Sequence, residues 1–345
     1  MNAQTRISPI GKTLGWVATG VGVFLVAHAV IKALTRFNFY NKVVLITGGS
    51  RGLGLIMARH LAEKGAKIAI CARSADDLEL ARQELEAMGA EVIAMTVDIT
   101  ANEEVKALIR DVVKHYGRLD VLINNAGIIQ VGPQNLMGIE EYQVAMQTNF
   151  WAQLYAIQAS LPHFLQRGEG KIVNITSLGG KIALPHLLPY SASKFAALGL
   201  SEGMHAELKK YNIHVTTVVP NLMRTGSPVH ADIKGDHGKE YAWFKHADSN
   251  PMFSQDPDTA AATILKAVEY GESEAILSLT GKFATLIQGF APTWVNTLMS
   301  LANKYLPDGI TGGNQTLKGA EAESALSQGP IARLSDKQAA RNNEN

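Results

Sequence analysis

Tyr190 and Lys194 stand four positions apart in Tyr190-Ser191-Ala192-Ser193-Lys194, so a phenol and an ammonium share one face of a helix that carries them. Ser177 lies thirteen residues upstream, and a glycine-rich run, Thr47-Gly48-Gly49-Ser50-Arg51-Gly52-Leu53-Gly54, follows the first β-type segment. A proton donor, a cation and a hydroxyl beside a turn able to cradle phosphate are the groups that hydride transfer to a carbonyl needs. These residues speak to reaction type and say little about substrate.

The glycine run has a definite chemistry. Glycine lets the backbone come close to a pyrophosphate, and the amino end of the following helix attracts its charge. The spacing Gly48-x-x-x-Gly52-x-Gly54 is not the Gly-x-Gly-x-x-Gly dinucleotide pattern. Its place between the first strand and the first helix is what gives it weight, and Ser50, Arg51 and Leu53 join the glycines as cofactor candidates. Many NAD-binding folds put an acid at the end of the second strand to hold the ribose hydroxyls. Here Ala72 and Arg73 stand there instead. With no carboxylate to repel a 2′-phosphate, and with Arg73 and Arg51 to bind one, the cofactor indicated is NADP(H). The plainer alternative is that both arginines are ordinary surface charges. Asp98, after the third strand, is placed for the adenine edge. Asn124-Asn125-Ala126-Gly127 closes the fourth strand with small residues that admit the nucleotide.

The elements that must position these groups follow from patterning. Lys42–Ile46, Lys67–Cys71, Glu91–Thr96, Val121–Ile123, Lys171–Thr176 and His214–Val219 are Val/Ile-rich and nearly continuous in hydrophobicity, as parallel strands covered on both faces should be. Amphipathic stretches at Leu53–Lys64, Asp76–Met88, Glu103–Tyr116 and Ser191–Lys210 alternate with them, the first three ending at Gly65, Gly89 and Gly117. Glu274–Leu279 supplies a candidate last strand. The expected fold is α/β: a Rossmann-like, doubly wound parallel sheet with helices on both faces, over residues 40–280. Asn221–Pro257 reads as a long irregular lid or substrate loop. Residues 281–307 read as an apolar helical extension broken at Pro292, which packs on the domain, covers the site or lies on a bilayer. The polar segment 308–345 reads as disordered.

Composition sets the remaining bounds. The 345 residues carry a formal net charge of +1, with 46% hydrophobic and 18% charged residues, which gives no bulk attraction to nucleic acid. One cysteine, Cys71, excludes an intrachain disulfide and a cysteine-rich zinc site, and no metal is expected. After a short flank, residues 1–12, Thr13 to Ile31 contains no charged side chain, and nineteen residues at about 1.5 Å each nearly span a bilayer core. The segment 13–35 is read first as a single transmembrane anchor, with a cleaved leader and an in-plane or packing helix as alternatives. Flanking charges, Arg6 and Lys12 against Lys32, Arg36 and Lys42, favour a cytoplasmic catalytic domain.

Taken in order, Thr47–Gly54, Asp98, Asn124–Gly127, Asn149, Ser177 and Tyr190–Lys194 resemble the short-chain dehydrogenase/reductase family, over roughly Lys42 to Leu279. The resemblance implies that Tyr190 is the general acid in reduction, that Lys194 holds the nicotinamide ribose and favours the phenolate, and that Ser177 positions the carbonyl oxygen. It implies that Asn149 holds a water linking Lys194 to solvent, and that Pro220 and Thr225 flank the nicotinamide. Where the family usually has Pro-Gly, this chain has Pro220-Asn221, with asparagine tolerating left-handed backbone. It also implies a homodimer or homotetramer. The expected function is NADPH-dependent interconversion of a ketone and a secondary alcohol, on a lipophilic substrate of steroid, retinoid or 3-keto-sphingoid type, with Leu184–Leu188 lining the site. A 3-oxoacyl or small-ketone reductase is the alternative, and a non-catalytic NADP-binding sensor is the alternative from another class.

Overall fold

Val43 and Leu45 face one side of their strand and Val44 and Ile46 the other, and all four are fully buried. A strand with two dry faces needs helices above and below it, and that requirement sets the architecture. The computed structural model describes residues 36–251, 254–308, 313–329 and 332–344. The chain divides into Met1–Asn38 and Phe39–Asn345, and all described strands and helices belong to the second unit. The expected anchor at 13–35 falls on residues outside those described. Among the described residues no helix is long and apolar enough to cross a membrane.

The strands are β1 (Val43–Thr47), β2 (Lys67–Ala72), β3 (Val92–Thr96), β4 (Val121–Asn124), β5 (Gln130–Val131), β6 (Gly170–Ile175), β7 (Ile213–Val219), β8 (Leu222–Met223), β9 (Asp232–Gly235), β10 (Ser254–Gln255), β11 (Glu274–Ile276) and β12 (Gly313–Lys318). The main sheet has seven strands in the order β11-β7-β6-β4-β1-β2-β3, every pairing parallel. The order reverses between β1 and β4, which is where such sheets open a crevice at their carboxyl ends. The helices are α1 (Gly52–Glu63), α2 (Ala75–Ala87), α3 (Asn102–Tyr116), α4 (Ile139–Met146), α5 (Ala152–Arg167), α6 (Leu188–Leu208), α7 (His237–Ser249), α8 (Pro257–Glu269), α9 (Leu279–Phe290), α10 (Pro292–Asn303) and α11 (Ala332–Arg341).

One core face joins Val43, Leu45, Leu122 and Ile172 of the sheet to Val105 and Ile109 of α3, Ile157 and Phe164 of α5, and Leu208 of α6. On the other side α1 packs against α8. A second apolar cluster, with Val131, Leu187, Ile233, Tyr241, Phe244 and Ala322, has Leu184, Tyr190 and Trp243 packed on it and so adjoins the carboxyl-end crevice.

The structure corrects three expectations. Residues 221–257 are not an irregular loop: Asp236 caps α7 within it, accepting from Lys239 N–H. The segment 308–345 is not disordered throughout: β12 pairs antiparallel with β9 and α11 follows. Leu279 belongs to α9 and not to the last strand, because the hydroxyl of Ser278 accepts from Gly281 N–H and starts the helix there. The apolar extension is two helices, with Pro292 at the start of the second, a position that needs no N–H.

At the edge of the sheet opposite the crevice, buried Asp120 accepts a hydrogen bond from Val43 N–H at 2.9 Å and pairs with Arg118 and Arg167. Asp120→Asn is expected to cost about 1–3 kcal/mol in urea unfolding, because a charged acceptor for two guanidinium groups is lost. Turnover below the unfolding transition should be unchanged, since the residue is remote from the carboxyl ends.

Candidate active site

The glycine turn is held open by its own backbone and braced from β4. Gly48 and Gly52 adopt φ of +64° and +53°, which an L side chain rarely adopts. A Cβ on Gly54 would stand 2.0 Å from the carbonyl oxygen of Gly48, so helix and strand can meet this closely only without a side chain. The Asn125 amide donates to the carbonyls of Thr47 at 3.1 Å and Gly48 at 3.0 Å. The Thr47 hydroxyl accepts from the N–H groups of Asn125 and Ala126. Asn125 therefore shapes the turn, and Ala126 lies beneath Gly48. Arg51, the residue before α1, makes no side-chain cap of the helix end.

Tyr190 and Lys194 lie in the first two turns of α6, which starts at the carboxyl-end crevice with Pro189 in its first turn. Ser177 follows β6, and its hydroxyl accepts from Gly179 N–H at 3.0 Å. Burial pushes the Tyr190 phenol above its ordinary value, with a hydrogen bond to Ser177 opposing the rise. Burial pulls Lys194 down to about 8. Its Nζ donates to the carbonyl of Ile175 at 3.0 Å and lies 5.8 Å from the centre of the Tyr190 ring. In the protein alone burial and Ser177 set the phenol's proton affinity; the expected help of Lys194 toward the phenolate belongs to the state with the oxidised nicotinamide bound.

Asn149 sits in a π-helical turn, Gln147–Trp151, inserted between α4 and α5. Widened turns of this kind occur often at functional sites. Its side chain accepts from Ile128 N–H at 2.9 Å and donates to the Ile128 carbonyl at 3.1 Å and the Ser193 hydroxyl at 3.0 Å. A Cβ on Gly127 would lie 2.9 Å from Asn149 Oδ1 and 3.4 Å from Lys194 Nζ, so this glycine leaves the space beside both groups. The structure thus brings Asn149, Ser177, Tyr190 and Lys194 together.

All of these except Asn149 line one cavity of about 940 Å³. The same cavity reaches Gly48, Ser50, Arg51, Gly52 and Leu53, then Arg73 and Asp98, then Asn125 to Gly127, and finally Pro220 and Thr225. Gly54 is under the turn and not on the wall. The Asp98 carboxylate accepts from the N–H and hydroxyl of Thr100, which with nearby Arg73 holds it below the usual carboxylate range. Asn221 departs from expectation, since its backbone is not left-handed. Its side chain instead accepts from Leu222 N–H at 2.9 Å, a local contact that replaces the flexibility of glycine. A glycine cradle and a long groove with Arg51 and Arg73 at one end suit a dinucleotide.

Several wall residues fall in segments that the sequence marks only as a lid or substrate loop and as an apolar extension able to cover the site. Trp243 and Phe244 of α7, and Met299, Ala302 and Leu306 from α10 and just beyond, are apolar residues whose placement depends on the tertiary fold. Buried Glu240 accepts from Trp243 Nε1–H at 2.7 Å and lies 2.9 Å from His186 Nδ1, tying the loop before α6 to α7. His186 takes a left-handed φ of +60° within the Leu184–Leu188 loop. Cys71 is fully buried, as expected of a strand-end cysteine, and burial pushes its thiol up to about 12.

The fold and the site together define a nicotinamide-dependent α/β oxidoreductase. Residues 42–233 match the family model described as short chain dehydrogenase. A dehydrogenase/reductase SDR family protein 7-like from Anopheles gambiae is 33% identical over 73% of this chain and 80% of its own length. An 11-beta-hydroxysteroid dehydrogenase 1A of Arabidopsis thaliana is 33% identical over 59% of this chain and 58% of its own length. The crystal structure of a short-chain type dehydrogenase/reductase from Mycobacterium marinum superposes with a TM-score of 0.61 at 26% identity, covering 70% of this chain and 95% of that one. The chain belongs to the short-chain dehydrogenase/reductase family, whose members are oxidoreductases acting on CH–OH and C=O groups with NAD(P)(H).

A buried lysine with a depressed pKa destabilises the fold wherever it must stay charged. In the unfolded chain Lys194 binds a proton up to about 10.5, in the folded chain up to about 8. Stability from this group therefore rises with pH between those values and is lowest below 8. Lys194→Met is expected to stabilise the protein alone at pH 7 by about 1–3 kcal/mol in urea unfolding, with the gain shrinking as pH is raised from 8 toward 10. A destabilised variant, or a gain that grows with pH, contradicts the burial argument.

Proposed function

We propose that the protein is an NADPH-dependent reductase of a lipophilic ketone, interconverting it with the secondary alcohol. The observation that carries this reading is the convergence of Ser177, Tyr190 and Lys194 at one end of a cavity whose other end holds the glycine turn and two arginines. The nicotinamide, when bound, supplies the hydride. The chain's residues do the rest. Ser177 and Tyr190 hydrogen-bond the carbonyl oxygen and so orient the carbon for attack. Tyr190 gives its proton to that oxygen as charge develops. A phenol pushed up by burial holds its proton at neutral pH, which suits the reductive direction. Lys194, near 8, stands close behind to replace the proton. Asn149 holds the Ile128 backbone and Ser193, and through them the placement of the first turns of α6.

The preference for NADPH rests on Arg73 and Arg51 at the adenosine end and on Ala72 where an acid would stand. The lipophilic substrate rests on the apolar wall formed by Leu184, Leu187, Trp243, Phe244, Met299 and Leu306. Membrane association is part of the same reading. Residues 279–307 contain no acidic side chain and two lysines, and Phe283, Phe290, Trp294, Leu298 and Tyr305 project outward from α9, α10 and the turn after them, next to residues that line the cavity. A substrate dissolved in a bilayer would enter from that side, with the catalytic domain on the cytoplasmic face. Assembly into a homodimer or homotetramer is proposed on the family resemblance alone.

The test is NADPH oxidation in detergent against long-chain and small ketones. Turnover is expected on the long-chain set, and activity confined to small ketones would remove the lipid reading. Tight NADPH binding with no turnover on any ketone would favour a sensor. Tyr190→Phe should reduce turnover by at least about 10³-fold while NADPH binding changes less than about twofold, and an equal loss of both would misplace the acid. Ala72→Asp with Arg73→Ala should move the preference toward NADH by about tenfold or more, since repulsion is added as attraction is removed. An unchanged NADPH preference contradicts the cofactor assignment.

A further inference from the structure

Residues 342–344 lie on the phosphate turn itself. The first amide of α1, Gly52 N–H, donates to the Asn342 carbonyl at 2.9 Å, and the Asn343 side-chain amide donates to the Ser50 carbonyl at 3.2 Å. Glu344 lines the cavity and is 4% exposed. Its Oε2 is 3.6 Å from Arg51 Nε and 2.9 Å from His230 Nε2. A Cβ placed on Gly52 would be only 2.3 Å from Glu344 Oε1, so the carboxylate rests directly on the helix end. These are the partners that an incoming phosphate seeks: a helix amino terminus, a guanidinium and an imidazole.

The segment is placed by built contacts and not by the turn alone. Arg59 of α1 donates to Asn342 Oδ1 and to the Arg341 carbonyl, both at 2.8 Å. Lys245 of α7 pairs with Asp336 of α11 at 2.8 Å. Ala339 comes so near Gly226 that a Cβ there would fall 2.5 Å from its Cα. The carboxylate at the tip is held less well than its support. Glu344 Oε2 and His230 Nε2 are both buried and neither makes a directed hydrogen bond, so hydrogen-bonding capacity is left unused at this contact.

We propose that Glu344 is a built-in anion that occupies the positive partners of the phosphate turn, and that it sets dinucleotide affinity and selectivity by competing for Arg51. The inference rests on the dinucleotide reading given above. When NADPH binds, its phosphates take Arg51 and the helix end, and the Glu344 carboxylate swings away while α11 stays anchored. Like charge so close to a diphosphate cannot remain without cost. The 2′-phosphate feels the competition most, because the guanidinium freed from Glu344 is one of its two proposed partners.

The experiment is binding of NADPH and NADH, without substrate, by tryptophan fluorescence and calorimetry. Glu344→Gln keeps the shape and removes the charge. It should lower the Kd for NADPH by about threefold or more, with a smaller gain for NADH. A chain lacking residues 342–345 should show the same direction, provided its unfolding transition remains cooperative. Hydrogen exchange over residues 342–344 in the unaltered protein should speed up on saturation with NADPH, with residues 332–341 unchanged. Unchanged or weaker NADPH binding by Glu344→Gln, or slower exchange in that segment, overturns the inference and would make these residues a clamp. If the unaltered protein and Glu344→Gln both bind neither dinucleotide, the reading of the cavity itself falls. If the unaltered protein binds NADPH and Glu344→Gln binds it no better, only the competition is refuted.

Discussion

Desolvation of the Tyr190–Lys194 pair is the constraint around which the site is organised. Burial raises the proton affinity of a phenol and lowers that of an ammonium, so both groups move toward their neutral forms. The chain opposes this with one hydroxyl at the phenol, Ser177, and one carbonyl at the amine, Ile175. Both opposing groups come from the end of β6 and the residues just after it, so the electrostatics of the site depend on where that strand stops. The helix that carries the amine is fixed to the sheet by buried polar contacts, Ser201 with Asn174 at 3.0 Å and with Thr217 at 2.7 Å, as well as by its apolar face.

The sheet order explains why the groups meet at all. With β1 and β4 adjacent and β6 next to β4, the ends carrying the glycine turn, Asn125 and Ser177 are consecutive along one edge. The turn is then shaped by backbone groups and the Asn125 amide, while its arginine faces the Glu344 carboxylate at 3.6 Å. Above this edge the smaller β12-β9-β5 sheet and α7 supply apolar side chains. The reacting end of the cavity is therefore walled by residues from distant parts of the chain, while the phosphate end is one contiguous glycine loop braced by Asn125 and by residues 342–344.

That division sets what could be read in advance. The contiguous loop, the tyrosine–lysine helix and the hydrophobic strands each have a local pattern: the first six strands of the main sheet lie within a residue of their expected bounds, while the helix starts three residues before Ser191. The pattern failed where tertiary contacts decide. Asp236 starts a helix with a single carboxylate cap inside a stretch that looks like loop, and Ser278 starts one with a hydroxyl cap inside a run that looks like strand. β12 has a polar sequence, Gly-Asn-Gln-Thr-Leu-Lys, and becomes a strand only because β9 presents an edge to it. Asn221 offered a left-handed backbone by composition and took a side-chain hydrogen bond instead. Trp243 and Glu240 read as part of an aromatic and charged loop, with nothing to show that one would hold the other and His186 beside the reactive tyrosine's helix.

Cys71 gives the molecule a silent reporter. Its carbonyl accepts from the N–H groups of Gly48 and Gly49, so the strand that carries it is stitched to the phosphate turn. Its thiol is sealed and reluctant to ionise. An opening that releases the turn would expose that sulfur to an alkylating reagent. Since no other cysteine exists in the sequence, the rate of covalent labelling would time the breathing of the nucleotide cradle without any engineered probe.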